Sequence, residues 1–126
     1  MAGTITTPDQ SKKSVRQSPS YSYDCTLTFD AAGNIADVPI IGIDPGYLMA
    51  VDTIPDGDTP PDDNYTLLLL NGDGVDLLAG GGTSRSATTS QRLLGKPSPV
   101  RGDLYPTVAL GGAGGIVRLI LWMQGA

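Results

Sequence analysis

The residues of this chain that could do chemistry are almost all aspartates. All thirteen acidic residues are Asp, there is no His, and Cys25 is the single cysteine. The absence of His removes the commonest general base and every Ser/His or Cys/His nucleophile arrangement. Asp73 and Asp76 resemble an acidic pair flanking a tight turn more than a general acid and base, because no pocket-forming partners can be named for them. The sequence therefore predicts a protein that is not an enzyme.

Two further patterns suggest ligand sites and are better explained as turns. The acidic loop at 56–63 could gather oxygen ligands for a cation such as Ca²⁺, but it lacks the EF-hand spacing and the closing Glu. Solvated turn aspartates are the favoured interpretation, and cation binding by this loop is left open. The glycine clusters at 80–82 and 111–115 lack the Gly-Lys-Ser/Thr of a phosphate loop, so they predict close backbone approaches. We expect no metal and no cofactor.

The composition favours strands and turns over helices. Asp replaces the helix-favouring Glu throughout, and the chain holds 17 Gly and 10 Pro. Residues 21–29 alternate apolar and polar, which predicts a half-buried strand with Cys25 as a buried apolar residue. Further strands are expected at 35–41, 47–54, 65–70, 104–110 and 116–123, the first of them as the return strand of a hairpin. Residues 83–94 are predicted to form a loop or a short capped helix that Gly95 and Pro97 stop.

These elements predict a mainly β fold with at most one short helix. We expect a single compact β-sandwich or small barrel over residues 21–126, preceded by a disordered or extended N-terminal arm over residues 1–20. No apolar run approaches the roughly 20 residues of a membrane span, and the N-terminus lacks the apolar stretch of a signal peptide. The expectation is a chain made in the cytoplasm with no membrane partner.

The charges of the chain are segregated between arm and body. Lys12, Lys13 and Arg16 make the arm basic, whereas no Lys or Arg lies between Arg16 and Arg85, an interval with eleven Asp. A basic arm could bind nucleic acid, but three charges give only a weak, salt-sensitive contact. Docking of the arm on neighbouring protein subunits is favoured, without nucleic acid.

One segment carries a family resemblance. Residues 62–85 read DDNYTLLLLNGDGVDLLAGGGTSR, and residues 115–120 read GIVRLI. Both resemble a recurrent signature of small virion-associated structural proteins of tailed bacteriophages, although the run at 67–70 is more apolar than that signature and the arm lies outside it. The matching positions include Asp63, Asn64, Tyr65, Asp73, Gly74, Asp76, Leu78, Gly80 and Arg85.

The resemblance implies a capsid decoration, or cement, protein on the virion surface. Such a protein would bind and stabilise the shell of major capsid protein, and it would form a homo-oligomer, expected to be a trimer. The apolar strands would line its interface, with Leu67, Leu69, Leu119, Leu121 and Trp122 as candidate contacts. One alternative is a tail or head–tail connector protein. Another is a carbohydrate-binding or adhesive module, which would require Tyr47, Tyr105 and Trp122 to be exposed.

Overall fold

Residues 3–6, 20–41, 43, 45–100 and 102–125 are described here from a computed structural model. Over this part of the chain the secondary structure consists of strands, bridges and turns, without a helix. No helix in these ranges is therefore long and apolar enough to cross a membrane. The strands are β1 (Thr4–Thr6), β2 (Ser20–Thr28), β3 (Gly46–Pro55), β4 (Thr66–Leu70), β5 (Gln91–Val100), β6 (Tyr105–Ala109) and β7 (Ile116–Gly125).

Five strands form the larger sheet, in the order β1-β2-β7-β3-β5, and each pair of adjacent strands in it is antiparallel. The central strand β7 pairs with β2 on one side and with β3 on the other. Its burial alternates along the strand, as the period of two requires when one face meets the core. The predicted face of β2 is confirmed, because Tyr21, Tyr23, Cys25, Leu27 and Phe29 are all buried.

The smaller sheet consists of β4 and β6. Isolated bridges extend it on both sides: Ile35 and Ile40 pair with β6 or the residue before it, and Arg85 and Asp76 pair with β4 or the residue before it. The inner faces of both sheets contribute to one cluster of buried side chains. The two sheets therefore form a sandwich, neither sheet closes into a barrel, and the predicted mainly β fold is confirmed.

Two predicted elements are wrong. Residues 35–41 do not return beside β2 as a hairpin; their bridges run to Val108 and Leu104, so this segment crosses to the smaller sheet. Residues 91–100 form a ten-residue strand, although a loop or helix ending near Gly95 was predicted. This strand lies at the edge of the larger sheet, where proline is tolerated because its missing N–H leaves no partner unpaired.

The edge strand β5 is irregular where it passes β3. Ala50 pairs with Leu94 and Leu48 pairs with Ser98, so three residues of β5 lie opposite the single residue Met49. Such a bulge bends a strand and increases its twist. Pro97 is one of these three residues, and Pro99 follows two positions later.

The predicted arm contributes one strand to the fold. Within residues 1–20, Thr4–Thr6 forms β1 on the outer edge of β2 and Ser20 begins β2 itself. At least β1 therefore docks on the chain's own sheet here. The basic residues Lys12, Lys13 and Arg16 lie outside the described residues.

Candidate protein-contact site

The outer face of the larger sheet presents large apolar side chains to solvent. Trp122 is 39% exposed, Tyr47 is 44% exposed and Leu94 is 76% exposed. Ala50 lies opposite Trp122 on one side and Leu94 on the other, so the three residues form a row across β7, β3 and β5. We call this surface, made of Tyr47, Asp52, Arg92, Leu94, Ile120 and Trp122, the Trp122 face.

A network of polar contacts fixes the tryptophan. In the neighbouring row, Asp52 lies between Ile120 and Arg92. Its Oδ2 accepts hydrogen bonds from Arg92 Nη2 at 2.8 Å and from Trp122 Nε1 at 2.8 Å. The Arg92 guanidinium also lies 5.6 Å from the centre of the indole ring, within the range of a cation–π contact. The face is therefore ordered before any partner arrives, which reduces the entropic cost of binding.

The charged side chains that the structure describes on the outer surface of this sheet form two ion pairs. Asp52 binds Arg92, and on the β2 and β7 side Arg118 Nη2 lies 2.6 Å from Asp24 Oδ2. The other described aspartates lie in turns and loops. Exposed ion pairs of this kind contribute little to stability. Their effect is that the described part of this surface is locally neutral, although the chain as a whole is acidic.

The protonation of Asp52 should be visible in the fluorescence of Trp122, the only tryptophan of the chain. The hydrogen bond from Arg92 holds the pKa of Asp52 below its ordinary value of 3.8; partial burial opposes this shift and the Trp122 bond adds to it. A lowered folded-state pKa contributes stability above the unfolded value, and that contribution is lost as the pH falls through the folded value. We therefore expect an acid titration of native-state fluorescence with a midpoint below 3.8. The step should be absent from Asp52→Asn, and a midpoint at or above 3.8 would show that the network does not form.

Four of the five predicted interface residues are not on the surface. Leu67, Leu69, Leu119 and Leu121 are each at most 1% exposed and belong to the chain's own core. Side chains already covered within the chain are not free to contact a second one, so their assignment to an interface was wrong. Trp122, on the opposite face of β7, is the predicted contact residue that reaches solvent.

The first half of the segment at 62–85, which carries the resemblance, joins two parts of the chain. Asp63 Oδ1 accepts a hydrogen bond from Ala87 N at 3.0 Å, and Asn64 N donates to Arg85 O at 2.9 Å. Arg85 N donates in turn to Tyr65 O at 2.9 Å. Tyr65 is buried, and burial raises the pKa of its phenol. These residues hold the start of β4 against the segment at 85–87, which follows the glycine cluster at 80–82.

The second half of the signature builds the turn between those two parts. Asp76 Oδ1 accepts from Leu69 N at 3.0 Å and from Leu78 N at 3.1 Å, while its Oδ2 accepts from Gly80 N at 2.9 Å. Such bonds stabilise a turn by satisfying its backbone donors. Leu78 packs against the core, and Gly74 and Gly80 have positive φ angles of 81° and 84°.

Asp73 lies in the same turn, where its N–H donates to Asn71 Oδ1 at 2.9 Å. The signature residues are thus scaffold, and Asp76 is a turn anchor with both oxygens engaged.

The acidic loop is likewise organised by its own backbone. Asp56 Oδ2 accepts hydrogen bonds from Asp58 N at 3.0 Å and Thr59 N at 2.8 Å. Within the described ranges, no group of three or more His, Cys, Asp or Glu residues is placed to hold a metal ion. This geometry fits the interpretation of the loop as turn aspartates.

An apolar cleft of about 260 Å³ opens beside the Trp122 face. It lies between the edge of the larger sheet and the turn at 77–81, and its described lining includes no titratable side chain. The cleft can accept an apolar group but offers no acid–base chemistry. Its lining includes Leu48, Val51, Leu77, Leu78, Leu93 and Leu94.

Comparisons of this chain with models of known protein families, with curated proteins and with solved structures found no match. The Trp122 face and the segment at 62–85 are the described features that bear on its function.

Proposed function

We propose that this chain is a capsid decoration protein of a tailed bacteriophage, which binds the shell of major capsid protein through the Trp122 face. The observation that carries the proposal is a preordered, electrically neutral and partly apolar face on an acidic chain. The resemblance at 62–85 supports the virion assignment. In this proposal the protein is made in the host cytoplasm, acts on the capsid surface, and needs no membrane or nucleic acid.

The composition of the face suits a protein partner. Trp, Tyr and Arg are the residue types that most often dominate binding energy at protein interfaces, and all three lie here within a few side chains of each other. Asp52 is already bonded to Arg92 and Trp122, so covering the face would not leave its charge unpaired. Burial of Leu94 and Trp122 would then supply the main favourable term.

In this proposal, the contacts made by many bound copies together stabilise the capsid. Each bound copy would bridge capsid subunits, and an oligomer with several identical faces would bind with greater avidity than a single copy. We propose a trimer, in which closed symmetry uses one patch repeatedly. A mass measurement by light scattering tests this assembly state, and a sixfold assembly would instead favour the tail or connector alternative.

Co-sedimentation with capsids that lack this protein tests the binding face. The double variant Leu94→Ser/Trp122→Ser should bind at least about 30-fold more weakly, since loss of contact residues at such a centre typically costs about 2 kcal/mol or more. The matched control is Ile41→Ser/Val75→Ser, which changes two exposed apolar residues outside the face. Circular dichroism checks that both variants fold. Equal binding by the two variants would remove the Trp122 face from the proposal, and absence of binding by the unchanged protein would refute the capsid function.

Glycan binding is the second candidate, because Trp122 and Tyr47 are both exposed on the larger sheet. Two features weaken it. Tyr105 lies in β6 of the other sheet, so the three aromatic residues do not form one platform, and the Arg92 guanidinium lies over the indole ring that a sugar would stack on. A saturable change in Trp122 fluorescence on adding host surface polysaccharide would favour this candidate over the capsid.

A further inference from the structure

Leu110 is an exposed apolar side chain on an unfavourable backbone conformation. It directly follows β6, it is 71% exposed, and its φ angle is 63°. Among the described residues other than glycine with a positive φ angle, it alone has a large apolar side chain. Bulky residues rarely adopt left-handed angles, whereas Gly, Asn and Asp accept them. A leucine here strains the backbone and leaves most of its apolar surface in water, which points to a role outside the chain.

The backbone next to Leu110 is firmly anchored. Gly111 N donates to Gly33 O at 2.9 Å, and Gly111 O accepts a hydrogen bond from Asp62 N at 2.7 Å. The same glycine packs so closely on the Phe29 ring that an added Cβ would overlap it. Leu110 is therefore presented at a fixed position, which reduces the entropy lost when a partner covers it.

The apolar cleft of about 260 Å³ beside the Trp122 face is also formed in advance. It opens where three residues of β5 lie opposite Met49, because this bulge interrupts the pairing of β5 with β3. Its other wall is the turn at 77–81, in which Leu78 N donates to Asp76 Oδ1 at 3.1 Å. A cavity of roughly 150 Å³ is large enough to bind benzene, so this volume accommodates a leucine side chain.

Leu110 cannot fill the cleft of its own chain, because β4 lies between them. The strand β6, which leads to Leu110, pairs along one edge of β4. The turn at 77–82 bonds to the other edge, where Leu67 N donates to Gly82 O at 2.8 Å. Two strand spacings of about 4.8 Å therefore separate β6 from the turn, a distance that a leucine side chain does not span. A leucine at position 110 can reach this cleft only in another copy.

The charge of the chain favours contact through these two surfaces. The formal net charge is −5, so two copies repel each other unless uncharged surfaces meet. Residues 109–115 contain no charged side chain, and the described lining of the cleft contains none either. Contact between them therefore buries apolar surface without burying a charge.

We propose that Leu110 of one copy inserts into the apolar cleft of the next copy. The contact joins two different surfaces, and its repetition closes a ring when the rotation between copies divides a full turn. Rotation about one axis presents every Trp122 face to a capsid at the same angle, which suits binding by several faces at once. This inference rests on the self-association in the proposed function, and it does not depend on capsid binding.

Light scattering by Leu110→Asn tests the contact on the full chain. Asn tolerates the left-handed angle but leaves the cleft unfilled, so the dissociation constant between copies should rise at least about tenfold. At concentrations where the unchanged protein is oligomeric, the measured mass should fall toward that of the monomer, while the Tm stays equal or rises. The matched control is Ile41→Asn, which changes an exposed apolar residue outside both surfaces and should keep the mass.

Ala79→Arg tests the contact from the side of the cleft. Ala79 is exposed and lines the cleft, so a long cationic side chain there should also lower the mass. A monomeric unchanged protein, or a variant at either position that keeps the oligomer, overturns the proposal. If Ala79→Arg keeps the oligomer but weakens co-sedimentation with capsids, the cleft holds a side chain of the capsid protein instead. If both variants dissociate but the unchanged protein does not bind capsids, the capsid function fails and the contact between copies stands.

Discussion

Replacing Leu119 by alanine is expected to lower the free energy of unfolding by about 2–5 kcal/mol. Leu119 is fully buried in the central strand β7, between Cys25 of β2 and Thr53 of β3. Its neighbours are held by strand pairing on both sides, so they cannot readily collapse into the space that the lost side chain leaves. Urea unfolding followed by Trp122 fluorescence measures the change.

Leu94→Ala is the control for this experiment, because Leu94 is exposed on the outer face of the same sheet. Its effect on unfolding should stay within about 0.5 kcal/mol, as for most surface substitutions. If Leu119→Ala instead left stability unchanged and abolished self-association, Leu119 would be an interface residue as the sequence suggested, and the assignment to the core would be wrong.

Gly82→Ala is expected to cost about 3 kcal/mol or more, at the upper end of the range for overpacking. A Cβ at Gly82 would lie 2.0 Å from the Leu67 carbonyl oxygen, and Gly82 O accepts the Leu67 amide at 2.8 Å. Relief of the clash therefore requires the returning segment to move away from β4 and lose that hydrogen bond. Thermal unfolding by circular dichroism should show a clearly lower Tm.

The matched glycine is Gly57, where an added Cβ meets nothing within 4 Å. Gly57→Ala should leave the Tm nearly unchanged, since the new methyl group points into open space. Equal Tm values for the two variants would show that the glycine cluster is an ordinary flexible turn and does not hold two backbones together.

The strands that could be predicted from sequence are those in which one face alone meets the core. The alternation from Tyr21 to Phe29 is preserved in burial, and the strands near 47–54, 104–110 and 116–123 follow the same rule. The four consecutive leucines at 67–70 show no alternation in the sequence, which is typical of a strand covered on both faces. In the structure Leu67 and Leu69 are buried, whereas Leu68 and Leu70 are only partly buried. Burial therefore alternates along β4 even though the sequence is uniformly apolar.

The missed elements depend on tertiary contacts that local patterns do not contain. Residues 35–41 have strand composition, but their backbone partners lie about 65 to 75 positions away in and beside β6. The strand β5 contains Gly95 and Pro97, which ordinarily end an element, and it persists because only one of its edges must be paired. No local sequence pattern predicts β1, because this segment becomes a strand through its pairing with β2.

The candidate site was only partly predictable. Trp122 was identified, and its partners Asp52 and Arg92 were not. A usable signal was present, because Asp24, Asp52 and Arg118 are each the sole charged residue of an otherwise uncharged strand. In a sheet such isolated charges tend to meet opposite charges on neighbouring strands, as Asp24 does with Arg118. Which strands are neighbours, however, cannot be read from the sequence.

The bulge and the prolines of β5 limit how copies of this protein can associate through the edge of the larger sheet when they are concentrated. An open strand edge is a template on which a further strand can add, and repeated addition leads to cross-β fibres. Here residues 95–97 interrupt the regular pairing of β5 with β3, and Pro97 and Pro99 have no backbone N–H to donate. Copies held at high density are thus hindered from fusing sheets through this edge. Addition of further strands at the β5 edge is therefore disfavoured, so association between copies can stop at a finite size.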